Sequence, residues 1–366
     1  MKKLIEDLRD QVYSELERCI ECEECTKACP LPESDEIYIK DLNRATASED
    51  EPPRKLLEFA FDCFGCGACV PVCPEDLRRD LMMIWLRSRG KLPRGYNDLL
   101  HWRGQGLSIS ENVALSILRM LKRNVVKGLI KHVDNTDLKK SENLFYFGCY
   151  IFSPSRICHP TLRLADHLGM DYEVMAGYRY CCGYPHYSAG QLNRGEKLLS
   201  DLYRAIKKVS PKLVITGCAE CYVALKMIKK QFDADFELIT TSGWILRNLG
   251  KFDLSKTDEK VTFHDACMLS RLEGLSETPR RVIDQMAELV EISDNRENSL
   301  CCGGMRAKHN REGLLKIQVK KLEDAKKTKA KKMITECITC WEKYHPLAKE
   351  HGIEVVDIVE MVYNAM

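Results

Sequence analysis

No window of the 366-residue sequence approaches the ~18 uncharged apolar residues that a membrane-spanning helix needs. The opening stretch, MKKLIEDLRDQVYSELERC, carries acidic residues throughout and has no apolar core of the kind found in secretion signals. Charge of one sign is also missing. Fifty-six lysines and arginines face 54 aspartates and glutamates, a net of +2, which gives no support for a nucleic-acid partner. The run KKTKAKK at 326–332 reads as a solvated helix end. With 45% hydrophobic and 30% charged residues the chain is ordinary globular material, long enough for two or three domains. These absences predict a cytoplasmic protein without a membrane span of its own, with a partner protein as the route to any membrane association.

Cysteine is what the sequence has in excess. Nineteen cysteines without an export signal argue against a disulfide framework, because the cytosol keeps thiols reduced. Nor are they scattered, as small core residues would be. Residues 19–30 read CIECEECTKACP and residues 63–74 read CFGCGACVPVCP. Each is C-x2-C-x2-C-x3-C-P, the run that binds two [4Fe-4S] clusters in bacterial ferredoxins. Three closely spaced thiolates wrap three corners of a cube, and the fourth, set off by a turn and a proline, reaches the other cube. Cys19, Cys22, Cys25 and Cys73 are therefore assigned to one cubane cluster, and Cys63, Cys66, Cys69 and Cys29 to the other. Zinc also uses C-x2-C pairs, but zinc sites rarely spend two unbroken runs of this kind.

The 32 residues between the runs have apolar positions at helical spacing and a helix start near Pro52 and Pro53. That insert resembles the helical two-cluster ferredoxin domains of fumarate reductase and heterodisulfide reductase more than the compact β-rich ferredoxins. Ahead of it, Leu4, Ile5, Leu8, Val12 and Leu16 form one stripe, read as a packing face, with docking of a partner protein as the alternative. From about Asp80 to Ser141 there is no cysteine. DLMMIWLRSRGKLPRGYNDLL and ISENVALSILRMLKRNVVKGLI look like amphipathic helices of a connector, the second capped by Ser110.

The remaining residues are a tandem repeat. NLFYFGCYIFS matches KVTFHDACMLS, YCCGYPHYSAGQLNRGEKLL matches LCCGGMRAKHNREGLLKIQ, and KLVITGCAECYVALK matches KKMITECITCWEKYH. The offsets are 118 from Cys149 to Cys267, 120 from Cys181 to Cys301, and 119 from Cys218 to Cys337 and from Cys221 to Cys340. Strand–loop–helix alternation predicts a parallel sheet in each half, with ligands beyond the carboxyl ends of the strands. Cys149, Cys181, Cys182, Cys218 and Cys221 should then share one rim, and Cys267, Cys301, Cys302, Cys337 and Cys340 another. The first C-x2-C also begins a helix, where the dipole favours thiolate.

These halves resemble the two CCG domains in the catalytic subunit of heterodisulfide reductase. The order, two cubane clusters followed by two CCG repeats, resembles the D subunit of the membrane-linked enzyme, a fusion of the separate C and B subunits. The resemblance implies a multi-domain chain: a helical ferredoxin domain at 1–90, a helical connector at 91–141, and α/β CCG repeats at 142–256 and 257–366. It also implies two noncubane [4Fe-4S] clusters, each held by one set of five cysteines, with one member of each adjacent pair bridging irons. Eighteen of the nineteen cysteines are then assigned, and Cys158, without a repeat mate, is structural or incidental.

The activity implied is reduction of a disulfide of the coenzyme M–coenzyme B type between the two open clusters. Arg306, Lys308, His309 and His186 are candidates to recognise its anionic groups, with a solvated loop as the plainer reading. His264 reads as a satisfied core histidine. Two stretches depart from the family: CCGGMRAKHNRE, less glycine-rich than in many members, and HDAC at 264–267 in place of HDPC. Neither removes a ligand; the first alters the wall of the expected substrate pocket. No flavin-binding glycine fingerprint occurs, so the electron donor is expected to be a flavoprotein or a membrane cytochrome b subunit. Similar cysteine layouts occur in iron–sulfur subunits of lactate, glycolate, glycerol-3-phosphate and sulfite-reduction complexes, which keep the clusters and exchange electrons with a flavoprotein, cytochrome or quinone.

Overall fold

The computed structural model describes residues 3–91, 127–153, 157–304 and 311–366. The apolar runs after residue 142 become eight short strands in two sheets, every pair parallel. The first sheet has the order β2-β1-β3-β4, from β1 (Asn143–Gly148), β2 (Glu173–Ala176), β3 (Leu213–Thr216) and β4 (Glu237–Thr240). The second has the order β6-β5-β7-β8, from β5 (Lys260–His264), β6 (Glu288–Leu289), β7 (Lys332–Thr335) and β8 (Glu354–Asp357). The inner strands are almost wholly buried, which is why they read as continuous apolar runs instead of alternating ones.

Four helices of nine residues or more carry the first 90 residues: α1 (Lys3–Arg18), α2 (Ile39–Ala47), α3 (Arg54–Asp62) and α4 (Arg79–Ser88). The helix α3 starts directly after Pro53, whose fixed φ suits a helix entry. Leu4, Leu8 and Val12 of α1 are buried against α4 and against α6 (Leu192–Val209) of the first lobe, so the N-terminal stripe is a packing face. Most of the expected connector, including Ser110, lies outside the described residues.

The lobes are completed by α5 (Cys158–His167), α7 (Ala219–Phe232) and α8 (Thr241–Arg247) in the first, and by α9 (Glu277–Ile283), α10 (Arg311–Lys327), α11 (Ile338–Ala348) and α12 (Ile358–Ala365) in the second. They dock reciprocally: α8 packs on α9, and α12 returns to pack on α5. Because α8 corresponds to α12 and α5 to α9 in the repeat, the interface has the self-complementary form of a two-fold dimer inside one chain. Two arginines fasten the N-terminal domain. Arg87, nearly fully buried, donates to the carbonyls of Ala60, Cys63 and Ser188, each at 2.6 Å. Arg271 of the second lobe donates to the carbonyls of Cys66, Ser299 and Glu297 at 2.6, 2.7 and 2.5 Å.

Candidate metal centres

All nineteen cysteines are free thiols, the adjacent pairs included. In the N-terminal domain the two runs interleave. Cys19, Cys22, Cys25 and Cys73 line one cleft with Ile20, Pro74 and Leu77. Cys29, Cys63, Cys66 and Cys69 line a second, apolar cleft of about 50 Å³, with Cys25 on the wall between them. Burial pushes the Cys29 thiol up to about 12, and nearby Cys63 adds to the rise.

One residue beside the first cleft has no counterpart in the cysteine pattern. Buried Arg79 donates to the sulfur of Cys19 at 2.6 Å and to Asn43 Oδ1 at 2.6 Å, while Asn43 Nδ2 lies 3.4 Å from the same sulfur. A guanidinium on a thiolate sulfur lowers the negative charge of whatever that sulfur binds.

In each lobe the five cysteines leave the carboxyl ends of the strands. Cys149 directly follows β1, and Cys218, two residues past β3, caps the start of α7. Cys267 lies three residues past β5, and Cys337, two residues past β7, caps the start of α11. The adjacent pairs arrive on loops that turn at a glycine. Gly183 has φ 74 and Gly303 φ 87, values that L side chains rarely adopt, and a Cβ on Gly183 would stand 2.7 Å from Leu198 Cβ and 2.9 Å from the Gly195 carbonyl oxygen. That requirement accounts for the third letter of each CCG.

The thiols form the same string in both lobes. In the first, Cys181 is hydrogen-bonded to Cys149 and Cys182, and Cys221 to Cys182 and Cys218. In the second, Cys267 donates to Cys301 at 3.6 Å and Cys340 to Cys302 at 3.3 Å, with Cys301 bonded to Cys302 and Cys340 to Cys337. The second cysteine of each pair is made more acidic than an ordinary thiol. Hydrogen bonds from Cys181 and then Cys221 draw Cys182 down to about 7, and those from Cys301 and Cys340 hold Cys302 well below the ordinary thiol range. Amide N–H groups of Gly303 and Gly304 point at Cys301 and Cys302 from 3.3 and 3.4 Å.

The strings connect onward. Cys66 of the N-terminal domain is hydrogen-bonded to Cys301, which pulls Cys66 down to about 7, and Cys218 lies close enough to Cys337 for their charges to interact. A cavity of about 90 Å³ opens on Cys149, Cys182, Cys218 and Cys221, closed on its far side by Ile338, Thr339 and Glu342 of the second lobe.

Three residues hold this geometry without any cysteine signature. Glu336, directly before Cys337, is buried and accepts hydrogen bonds from Thr241 Oγ1, Ser242 N and Ser242 Oγ at 3.1, 2.5 and 2.7 Å, tying the second lobe's cysteine loop to the first lobe's α8. Arg280 is bidentate to Asp265 at 2.8 Å, bracing the loop that leads to Cys267. Fully buried Lys321 pairs with Asp294 at 2.9 Å and reaches Ser299, two residues before Cys301, at 3.2 Å.

The histidines differ from expectation. His186 is fully buried with Nδ1 2.6 Å from Gln191 Oε1, and it does not line the cavity. His264 is buried as expected, but neither ring nitrogen has a hydrogen-bond partner, so it is not a satisfied core histidine. Arg306, Lys308 and His309 lie outside the described residues. Cys158 is buried in α5, and no other thiol is among the groups that act on it.

Among the described residues no group of three or more His, Cys, Asp or Glu side chains is arranged around a single metal ion. The donors run instead as strings and clefts of sulfur, a set that suits iron–sulfur centres.

Comparison with known proteins agrees. The 4Fe-4S dicluster domain family matches residues 18–78, and the cysteine-rich CCG domain family matches twice, at 144–226 and 261–342. The chain thus joins a 4Fe-4S dicluster domain to two CCG domains. It is related to the D subunit of heterodisulfide reductase: the dihydromethanophenazine:CoB–CoM protein of Methanosarcina barkeri is 24% identical, covering 96% of this chain and 94% of its own length. The B subunit of the fumarate reductase (CoM/CoB) of Methanothermobacter marburgensis is 25% identical, covering 98% of this chain and 74% of the relative. The EtfAB:quinone oxidoreductase of Syntrophomonas wolfei is 25% identical over 88% of this chain, which spans about half (49%) of that protein's length. No helix among the described residues is long and apolar enough to cross a membrane.

Proposed function

We infer that the chain is the disulfide-reducing component of an electron-transfer complex. Two cubane [4Fe-4S] clusters, on Cys19, Cys22, Cys25 and Cys73 and on Cys63, Cys66, Cys69 and Cys29, would pass single electrons to two noncubane [4Fe-4S] clusters on the five-cysteine strings. The observation that carries this reading is the continuous run of sulfur from Cys66 to Cys301, along the second string, and across to the first string where the cavity opens. A wire that ended in ferredoxin-type sites would need neither the adjacent cysteines nor a cavity at its far end.

The residues divide the work. Arg271 holds Cys66 against the second lobe, and Glu336 holds the two rims together. The cavity walls admit a small molecule to the first rim at Cys149, Cys182, Cys218 and Cys221. Reduction of a disulfide takes two electrons and two protons and releases two thiols; the first-lobe centre, open to the cavity, would meet the disulfide, and the second-lobe centre behind it would supply the second electron. The resemblance to the heterodisulfide reductase D subunit makes the coenzyme M–coenzyme B disulfide the substrate to try first. The donor is a flavoprotein or a membrane cytochrome b subunit.

The relative named EtfAB:quinone oxidoreductase favours a second reading, in which the same centres exchange electrons with a flavoprotein and a quinone. One experiment separates the two. The anaerobically purified chain should be brown, hold about sixteen irons, and reduce the heterodisulfide with a low-potential dye as donor. A fully loaded chain that ignores disulfides and turns over only a quinone or flavoprotein establishes the second reading. A colourless, zinc-loaded chain overturns both.

A further inference from the structure

Behind the second string the fold leaves a polar pair without partners. His264, at the end of β5, is fully buried with both ring nitrogens unbonded, and Tyr344 on α11 is fully buried with its hydroxyl unbonded. Their rings meet edge-on, centroids 4.8 Å apart at 70°. Tyr344 follows Cys340 by four residues, one helical turn, so both side chains leave the same face of α11. Besides burial, the influences on the Tyr344 hydroxyl begin with Cys302, Cys340 and Cys301, and Cys302 also bears on His264. A buried donor with nothing to receive its hydrogen is costly, and native folds rarely keep one unless some further group receives it.

At the equivalent positions the first lobe has no such pair. The repeat offsets set Tyr146 opposite His264 and Leu225 opposite Tyr344. Tyr146 already donates to the Tyr180 carbonyl at 2.6 Å, and Leu225 has nothing to donate. The two strings therefore share their sulfurs and differ in the donors behind them.

We propose that Tyr344 and His264 donate hydrogen bonds to the sulfur shell of the second-lobe centre and make it the more easily reduced of the two five-cysteine centres. The proposal rests on the reading that each string holds an iron–sulfur cluster. Donors directed at cluster sulfur disperse negative charge and so favour the reduced state. The second lobe would then draw electrons from the N-terminal domain through Cys66 and hold them until the first lobe engages substrate. Tyr344 and His264 act here through sulfur and touch no substrate.

The test is a potentiometric EPR titration of the iron-loaded full chain, with Cys301→Ser used to assign the second-lobe signal by its loss. Tyr344→Phe, which keeps the ring, should move that signal's midpoint to more negative potential and leave the first-lobe signal in place. His264→Phe should move it the same way. In the wild type, ENDOR of the second-lobe centre should show a proton coupling that exchanges in D2O and disappears in Tyr344→Phe. Absence of that coupling from the wild type, or an unchanged midpoint in a Tyr344→Phe protein with full iron, overturns the proposal while leaving the proposed function intact. A wild type with no second-lobe signal and fewer than about sixteen irons overturns both.

Discussion

The two lobes lay five cysteines along the same sheet edge in the same order, and almost nothing around those cysteines is the same. In the first lobe the rim faces a cavity, the residue before Cys218 is Gly217, and Tyr146 is bonded within its own lobe. In the second, the residue before Cys337 is the interlobe carboxylate Glu336. The loops to Cys267 and Cys301 are braced by Arg280–Asp265 and Lys321–Asp294, and Cys301 meets Cys66. Metal geometry sets the spacing of sulfur and leaves the flanking residues free. After duplication, the flanks could specialise, one lobe toward receiving electrons and the other toward meeting a small molecule.

That division is most directly broken by removing one string at a time. Cys301→Ser should lower iron from about sixteen to about twelve per chain, abolish disulfide turnover, and leave the first-lobe centre unreduced when the N-terminal clusters are reduced. Cys181→Ser should remove as much iron and as much turnover, but leave the second-lobe centre reducible. Iron analysis with EPR after dithionite distinguishes them, and equal behaviour of the two variants would refute a fixed order of lobes.

Glu336→Ala tests the clasp. It strands buried donors on Thr241 and Ser242 and should cost about 3 kcal/mol, read as a lowered midpoint in thermal unfolding of the loaded chain. The same substitution made at the first lobe's equivalent, Gly217→Ala, removes no carboxylate and should cost less. Arg271→Gln comes next, at about 2 kcal/mol from weakened charged hydrogen bonds, with slower electron arrival at the second lobe in freeze-quench EPR and unchanged iron content. The smallest effect is expected from Cys158→Ala, about 1 kcal/mol of packing, with iron and turnover unaltered. A loss of iron there would show that the nineteenth cysteine belongs to a centre after all.

The parts of this molecule written locally were legible from the chain alone. A cube's corners demand thiolates two and three residues apart, so both ferredoxin-type runs announce themselves. Strands buried on both faces must be apolar runs, so the parallel sheets and the repeat could be laid out before any coordinates. The glycine after each adjacent pair stands in the sequence too, but its left-handed φ emerged only from the fold. The residues that relate one centre to the next were invisible at that level. Arg79 reaches Cys19 across 60 positions, Glu336 reaches Ser242 across 94, and Arg271 reaches Cys66 across 205. In the sequence these are ordinary charged residues among many, with no period or spacing to mark them, and His264 looked like any buried histidine. Coordination chemistry acts over a few bonds and leaves its signature in spacing. Which sulfur faces which, and what stands behind it, is decided only when distant segments pack, because burial alone turns an unremarkable arginine, glutamate or tyrosine into a group that must find a partner.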